Sequence, residues 1–179
     1  MKKLSHVQVM EVFLKLAGKN HPSPRNYTSL VRLDHELGLM SITNGYTLVT
    51  HPFKGDKTET VNHLGMVSET THPKISDIIK EEFDISLEPF WFLEIVKSLG
   101  RRPAGGRDLF GFQVSGDKLV FTSDLKKSFF CPFIFKTEVV EISKKKLGVD
   151  TIQVSTEHTW MVIGMGDFKV YTVCKRERS

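Results

Sequence analysis

The sequence predicts an α+β protein, and three observations carry that prediction. Two segments place apolar residues at helical spacing. Several short runs rich in apolar and β-branched residues are separated by glycine and asparagine turns. The order helix, then strands, occurs twice along the 179 residues. The 13 phenylalanines fit this class, because aromatic side chains pack well on a pleated sheet.

Residues 5–17 read as the first helix. Val7, Met10, Leu14 and Ala17 form an apolar stripe widened by Phe13, and Gln8, Glu11, Lys15 and Lys19 lie opposite. Gly18 is a natural stop. "NHPSPRN" is a two-proline loop. Three extended runs follow, "TSLVRLD", "GLMSIT" and "YTLVTHP", with Gly38 and the pair Asn44-Gly45 as turns. "VNHLGMV" fits a strand or a stub of helix, and "HPKISDIIKEEF" a short helix or a turn-rich crossover.

A boundary near Asp84 divides the chain into a first unit, 1–84, with an abbreviated second half, and a second unit, 85–179. "LEPFWFLEIVKSLGRR" opens the second unit as a helix with Pro89 in its first turn. Phe92, Ile95, Val96 and Leu99 face inward, and Glu94, Lys97 and Arg101 share the wet side. "RRPAGGR" reads as a loop, and "DLFGFQVSGDKLVFTSD" as a hairpin turning at Ser115 to Lys118. "FFCPFIFKTEVVEI" supplies one or two strands and "SKKKLGV" a helical stub. "TIQVST", "TWMVIG" and "FKVYTVCK" close the chain.

Composition is that of an ordinary globular protein, 40% hydrophobic and 26% charged. The net charge of +4 permits an anionic partner without demanding one. Cys131 and Cys174 are far apart in sequence and form no metal-binding spacing, so two buried thiols in a reducing compartment are expected. The N-terminal "MKKLSHVQVMEVFLKLAG" imitates a secretory signal, but His6, Gln8 and Glu11 interrupt its apolar region. No run approaches the length of a membrane span, and a cytoplasmic location is expected.

Catalytic patterns are weak. His21-Pro22-Ser23 matches one half of a two-histidine phosphoesterase motif, and no second copy follows His51, His72 or His158. His35, His63 and His72 lack ligand spacing, so neither a metal nor another cofactor is expected. "PAGGR" lacks the spacing and the Lys-Ser/Thr of a phosphate loop. "GMGDF" joins two strands, whereas a dinucleotide fingerprint opens a helix. The basic residues leave two readings. Lys15 and Lys19, Lys97 and Arg101, and Lys144, Lys145 and Lys146 mark exposed sides of helices or helical stubs. Such runs are usually solvated faces; the alternative is a positive surface for phosphate backbone, free of sequence information.

One stretch decides between them by resemblance. "SLVRLDHELGLMSITNGYTLV" resembles the middle domain of the bacterial DNA polymerase sliding clamp, the beta subunit. The family's Thr-Asp-Gly-His-Arg-Leu hairpin motif stands here as Thr43-Asn44-Gly45-Tyr46-Thr47-Leu48. "HPKISDIIKEEF" is similar to the family's Phe-Pro-Asp-Tyr crossover, with His72 for Phe and Lys74 for Asp. "PFWFLEIVKSLG", "RDLFGFQVSGDKLVFTS" and the closing "ISKKKLGVDTIQVSTEHTWMVIGMGDFKVYTVCK" resemble the helix, strand pair and final strands of the last domain. The chain is shorter than the family's three domains require.

The resemblance implies a clamp-like architecture of two helix-plus-sheet units and no catalytic activity. Helix lysines would face duplex DNA independently of its sequence. A groove for polymerase and clamp-loader peptides would be walled by Thr43, Gly45, Tyr46, Thr47, Leu48, Tyr171 and Val173. A small, phage-type processivity factor follows, with three two-unit chains making a six-unit ring. A clamp-fold regulator that forms no ring and a small nucleic-acid-processing enzyme are the alternatives.

Overall fold

The structure is a computed structural model. It describes residues 3–18, 30–45, 47–62, 64–79, 85–87, 102–104, 107–115, 118–122, 129–132, 142–149, 151–155, 160–173 and 175–176. In chain order the elements are helix α1 (His6–Phe13), a π-helical turn (Leu14–Gly18), β1 (Val31–Asp34), β2 (Leu39–Thr43), β3 (Thr47–Pro52), β4 (Glu59–Val61), β5 (Ile85–Leu87), β6 (Arg102–Ala104), β7 (Arg107–Ser115), β8 (Lys118–Thr122) and β9 (Phe129–Pro132). A second π-helical segment (Ile142–Leu147), β10 (Ile152–Ser155), β11 (Trp160–Met165), β12 (Phe168–Val173) and β13 (Lys175–Arg176) follow. The chain divides into two compact units. One joins Lys3–Glu81 to Asp167–Tyr171, and the other contains Met1–Lys2, Glu82–Gly166 and Thr172–Ser179.

The first unit begins with a capped helix. The Ser5 hydroxyl accepts a hydrogen bond from the Gln8 amide at 3.4 Å, and the Gln8 side chain accepts one from the Ser5 amide at 2.9 Å. This reciprocal pair satisfies two of the amides that a helix start leaves open. The buried face carries Val9, Met10, Val12, Phe13, Leu16 and Ala17. Val7, expected in the stripe, is 67% exposed. The inward face is rotated about 100° from the expected one, one residue's turn of an α-helix. The sequence i, i+3, i+4 pattern fits both settings, and the observed one buries Val9, Val12 and Leu16 in place of Val7.

Strands run in the order β4-β1-β2-β3-β12 in this unit. β1 pairs antiparallel with β2 and with β4, and β2 with β3. The π-helical turn packs on β2 and β3. Phe13 meets Phe168 of β12 edge-on, with centroids 6.0 Å apart and planes at 83°. On Phe168 the His51 ring stacks at 4.6 Å. From Met40 to Thr43 and from Thr47 to Thr50 every residue is buried, so both faces of the β2–β3 hairpin are covered.

A buried carboxylate ties the β1–β2 turn. Asp34 accepts from Arg32 Nε at 2.9 Å and from the Leu37 amide at 3.1 Å. Burial pushes its carboxyl up, but the Leu37 amide and the Arg32 guanidinium outweigh it, so Asp34 titrates below the ordinary carboxylate value. Gly38 closes the turn at φ 62, a backbone region that suits glycine.

"VNHLGMV" is neither a longer strand nor a helix. After β4, Asn62 turns the chain by accepting from the Leu64 and Met66 amides at 2.9 and 3.0 Å, and Val61 bridges Val67. The crossover holds a turn at Ser76–Ile78, anchored by buried His72 and Ile75.

In the second unit the strand order is β13-β9-β7-β6, with β8 also on β7, while β11, β10 and β5 lie side by side in the eight-stranded sheet that also holds β12. The expected hairpin turn is present, with Ser115 opposite Lys118. "RRPAGGR" is corrected from a loop. Arg102–Ala104 pairs with β7, and Ala104 faces Arg107, which leaves only Gly105-Gly106 between paired strands. A Gly-Gly pair is a hairpin signal in its own right. The lysine stub is a π-helical segment with Ile142, Ser143 and Leu147 buried. Of the helix expected over 87–102, the two ends are corrected, since Leu87 closes β5 and Arg102 opens β6, and residues 88–101 lie outside the described residues.

Two outcomes are expected. Phe13→Ala and Phe168→Ala should each cost about 3–5 kcal/mol in chemical denaturation. The double mutant should fall short of their sum by about 1 kcal/mol, the share of the ring pair itself. His72 supplies the second. Burial pushes its imidazole below the usual histidine value, the Pro73 carbonyl opposes this, and the Arg32 charge adds to it. Because the folded-state pKa is depressed, the unfolded chain takes up the proton first as pH falls. Stability complete above the unfolded-state pKa of 6.5 is therefore lost down to the lower folded-state value. Melting curves at about pH 8 and about pH 5 should show a smaller acid loss for His72→Phe than for the parent.

Candidate functional site

The candidate site is the β2–β3 hairpin. Its register pairs Thr43 with Leu48, and the Asn44 amide donates to the Thr47 carbonyl at 3.1 Å. Asn44 is therefore paired and Gly45 opens the loop, one residue later than the Asn44-Gly45 turn expected from sequence. Gly45 stands at φ 88, and its place as first loop residue is where a hairpin turn most needs glycine. Asn44 serves instead as a clasp, its Oδ1 accepting from the Thr47 amide at 2.8 Å. Thr43 Oγ1 donates to the Thr47 carbonyl at 2.9 Å and accepts from the Gly45 amide at 3.1 Å. Thr43, Asn44 and Thr47 are all buried. Such bonds are worth most where water cannot compete for them.

The residues assigned to the groove fall into three groups. Thr43, Gly45 and Thr47 come together at the hairpin end. Leu48 is 2% exposed and Tyr171 is 0% exposed, on strands β3 and β12 that are neighbours in the sheet. The Tyr46 residue and the Val173 side chain lie outside the described residues.

The basic residues are spread over separate elements. Lys15 stands half-buried on the first π-helical turn. Lys145 is exposed on the second, and Lys146 is half-buried beside it. Lys19, Lys97, Arg101 and the Lys144 side chain lie outside the described residues. No group of three His, Cys, Asp or Glu among the described residues is placed to hold a metal ion. No helix among them is long and apolar enough to cross a membrane.

Two features escaped the sequence reading. By composition Asn44 reads as a turn residue, although an asparagine three positions before a threonine amide can act as a brace. The Asn62 turn carries Leu64, Met66 and Val67, all strongly exposed. Asn62 followed by Gly65 was the available signal for that turn.

Comparison with solved structures adds the fold. The chain matches the DNA polymerase III beta subunit of Borrelia burgdorferi with a TM-score of 0.67 at 10% identity, covering 96% of this chain and 62% of that one. It matches the Bacillus subtilis DNA polymerase sliding clamp with a TM-score of 0.67 at 9% identity and the same coverage. The fold is that of a DNA sliding clamp. A Helicobacter pylori beta clamp solved with a DNA ligase peptide matches with a TM-score of 0.60 at 11% identity, over 96% of this chain and 63% of that clamp. This clamp-fold chain thus spans less than two thirds of the length of the solved clamps it matches. No protein-family model matches the sequence, and no curated protein matches it.

Thr43→Val tests the clasp. It keeps the side chain's shape and removes the hydroxyl, so Gly45 loses its acceptor while Thr47 keeps one donor. The expected cost is about 1–2 kcal/mol by urea denaturation, with the hairpin register retained by amide exchange.

Proposed function

We propose that this protein is a non-enzymatic, sliding-clamp-like processivity factor that holds a polymerase on duplex DNA. The observation that carries the reading is the clamp fold, matched along 96% of the chain at a TM-score of 0.67. DNA contact falls to Lys15, Lys19, Lys97, Arg101, Lys144, Lys145 and Lys146. Contacts of lysine and arginine with phosphate are independent of base sequence and weaken with salt, which suits sliding. Partner peptides of a polymerase or clamp loader, or a DNA ligase peptide of the kind a Helicobacter pylori clamp binds, would enter at the hairpin. In this reading Thr43, Gly45, Tyr46 and Thr47 form the rim, the buried Leu48 and Tyr171 back it from beneath, and Val173 is a further wall. No cofactor takes part, and the protein works in the cytoplasm of a bacterial or phage-infected cell.

Two units per chain would need three chains for a six-unit ring, so a trimer is the assembly proposed. The second reading is a clamp-fold regulator that forms no ring.

Assembly separates the two readings. Light scattering of the ring-forming protein should give a concentration-independent trimer mass, and monomer alone at high concentration would leave the regulator. DNA contact has its own test. Charge reversal at Lys15, Lys97 and Lys145 should weaken duplex binding equally for unrelated sequences and flatten the salt dependence by a slope of roughly one unit per contact. Unchanged binding by the triple mutant would remove these residues from the DNA surface.

A further inference from the structure

The polar groups of the β2–β3 hairpin end are engaged with one another. The Thr47 peptide unit is held on both sides: its amide donates to Asn44 Oδ1 at 2.8 Å, and its carbonyl accepts from the Asn44 amide at 3.1 Å and from Thr43 Oγ1 at 2.9 Å. Asn44 thus grips Thr47 through both main chain and side chain. It is itself buried, so the grip is shielded from water. A peptide unit held this way has its backbone fixed before any ligand arrives.

Resting on the groove reading above, we propose that Asn44 is the positioning residue of the peptide site, which keeps the Thr47 side of the rim preformed. It touches no ligand in this role. It acts through Thr47 by removing the conformational cost that a loose loop would add to binding. Ordering even one backbone residue on binding lowers affinity by roughly tenfold. The Asn62 turn provides an internal comparison. Asn62 Oδ1 braces two amides in the same manner, at 2.9 and 3.0 Å, on a different turn. The proposal assigns a binding role to the first brace and not to the second.

The test is calorimetric titration of the full chain with a synthetic DNA ligase peptide, beside thermal melts of every variant. Asn44→Ala should bind roughly tenfold more weakly, with the loss in the entropy of binding. Asn44→Asp, which keeps an acceptor oxygen for the Thr47 amide, should restore most of the affinity. Asn62→Ala should lower the melting temperature by a comparable amount and leave peptide affinity unchanged. Equal affinity of Asn44→Ala and the parent would overturn the proposal while leaving the groove reading in place. An equal loss in Asn62→Ala would also overturn it, because the effect would then follow stability alone. No binding by the parent chain would remove the groove reading and this role together.

Discussion

The first unit depends on one contact between distant parts of the chain, the edge-on packing of Phe13 against Phe168. Phe13 ends the N-terminal helix, and Phe168 opens a strand close to the C-terminus. Both rings are fully buried, and His51 of β3 stacks on Phe168 from the middle of the sequence. Closing so long a loop is entropically costly but grows only slowly with length, while each buried ring contributes stabilisation of the order of 3 kcal/mol. This contact brings Asp167–Tyr171 into the same compact unit as Lys3–Glu81. It thereby sets β12 next to β3, the strand that carries the candidate hairpin.

Around that core, side-chain oxygens do the work of fixing turns. Asp34 secures the β1–β2 turn, Asn44 and Thr43 the β2–β3 hairpin, and Asn62 the turn after β4. In each case a short polar side chain accepts from a backbone amide that strand pairing leaves open, the reason such residues favour turns. The Asp34 carboxylate also pairs with Arg32, and these bonds outweigh the cost of burying its charge. The candidate site is therefore held by hydrogen bonds beneath its surface. Its Leu39–Thr50 stretch carries no Asp, Glu, Lys, Arg or His, so positive charge for a nucleic-acid partner has to come from other elements.

Much of the fold was legible because local chemistry and tertiary packing agree. Gly38, and the Ser115–Lys118 turn, sit where turn preferences place them. The order helix, strand, strand, strand emerged from periodicity alone. Disagreement arose where two local solutions were near in energy. An N-terminal segment with apolar residues at eight of positions 5–17 offers more than one inward face, and Val7 lies on the one that packing leaves exposed. Pro103 and the Gly105-Gly106 pair resemble a loop until a long neighbouring strand offers pairing partners. At the hairpin, Asn44-Gly45 has the composition of a turn pair, but the register of β2 on β3 moves the turn by one residue and turns Asn44 into a brace.

By itself the sequence determined the α+β class, most strand positions, the turn glycines and the hairpin motif, because these follow from spacing, β-branching and backbone freedom over a few residues. The clamp resemblance rested on the order of such short motifs, and the fold match bears it out. Only the tertiary structure decided which helix face is buried, which residue turns the hairpin, and that a strand near the C-terminus completes the sheet of the first unit. Each of these is a choice among locally equivalent alternatives, and the choice is made by burial of side chains from remote segments, an energy that no local window of sequence contains.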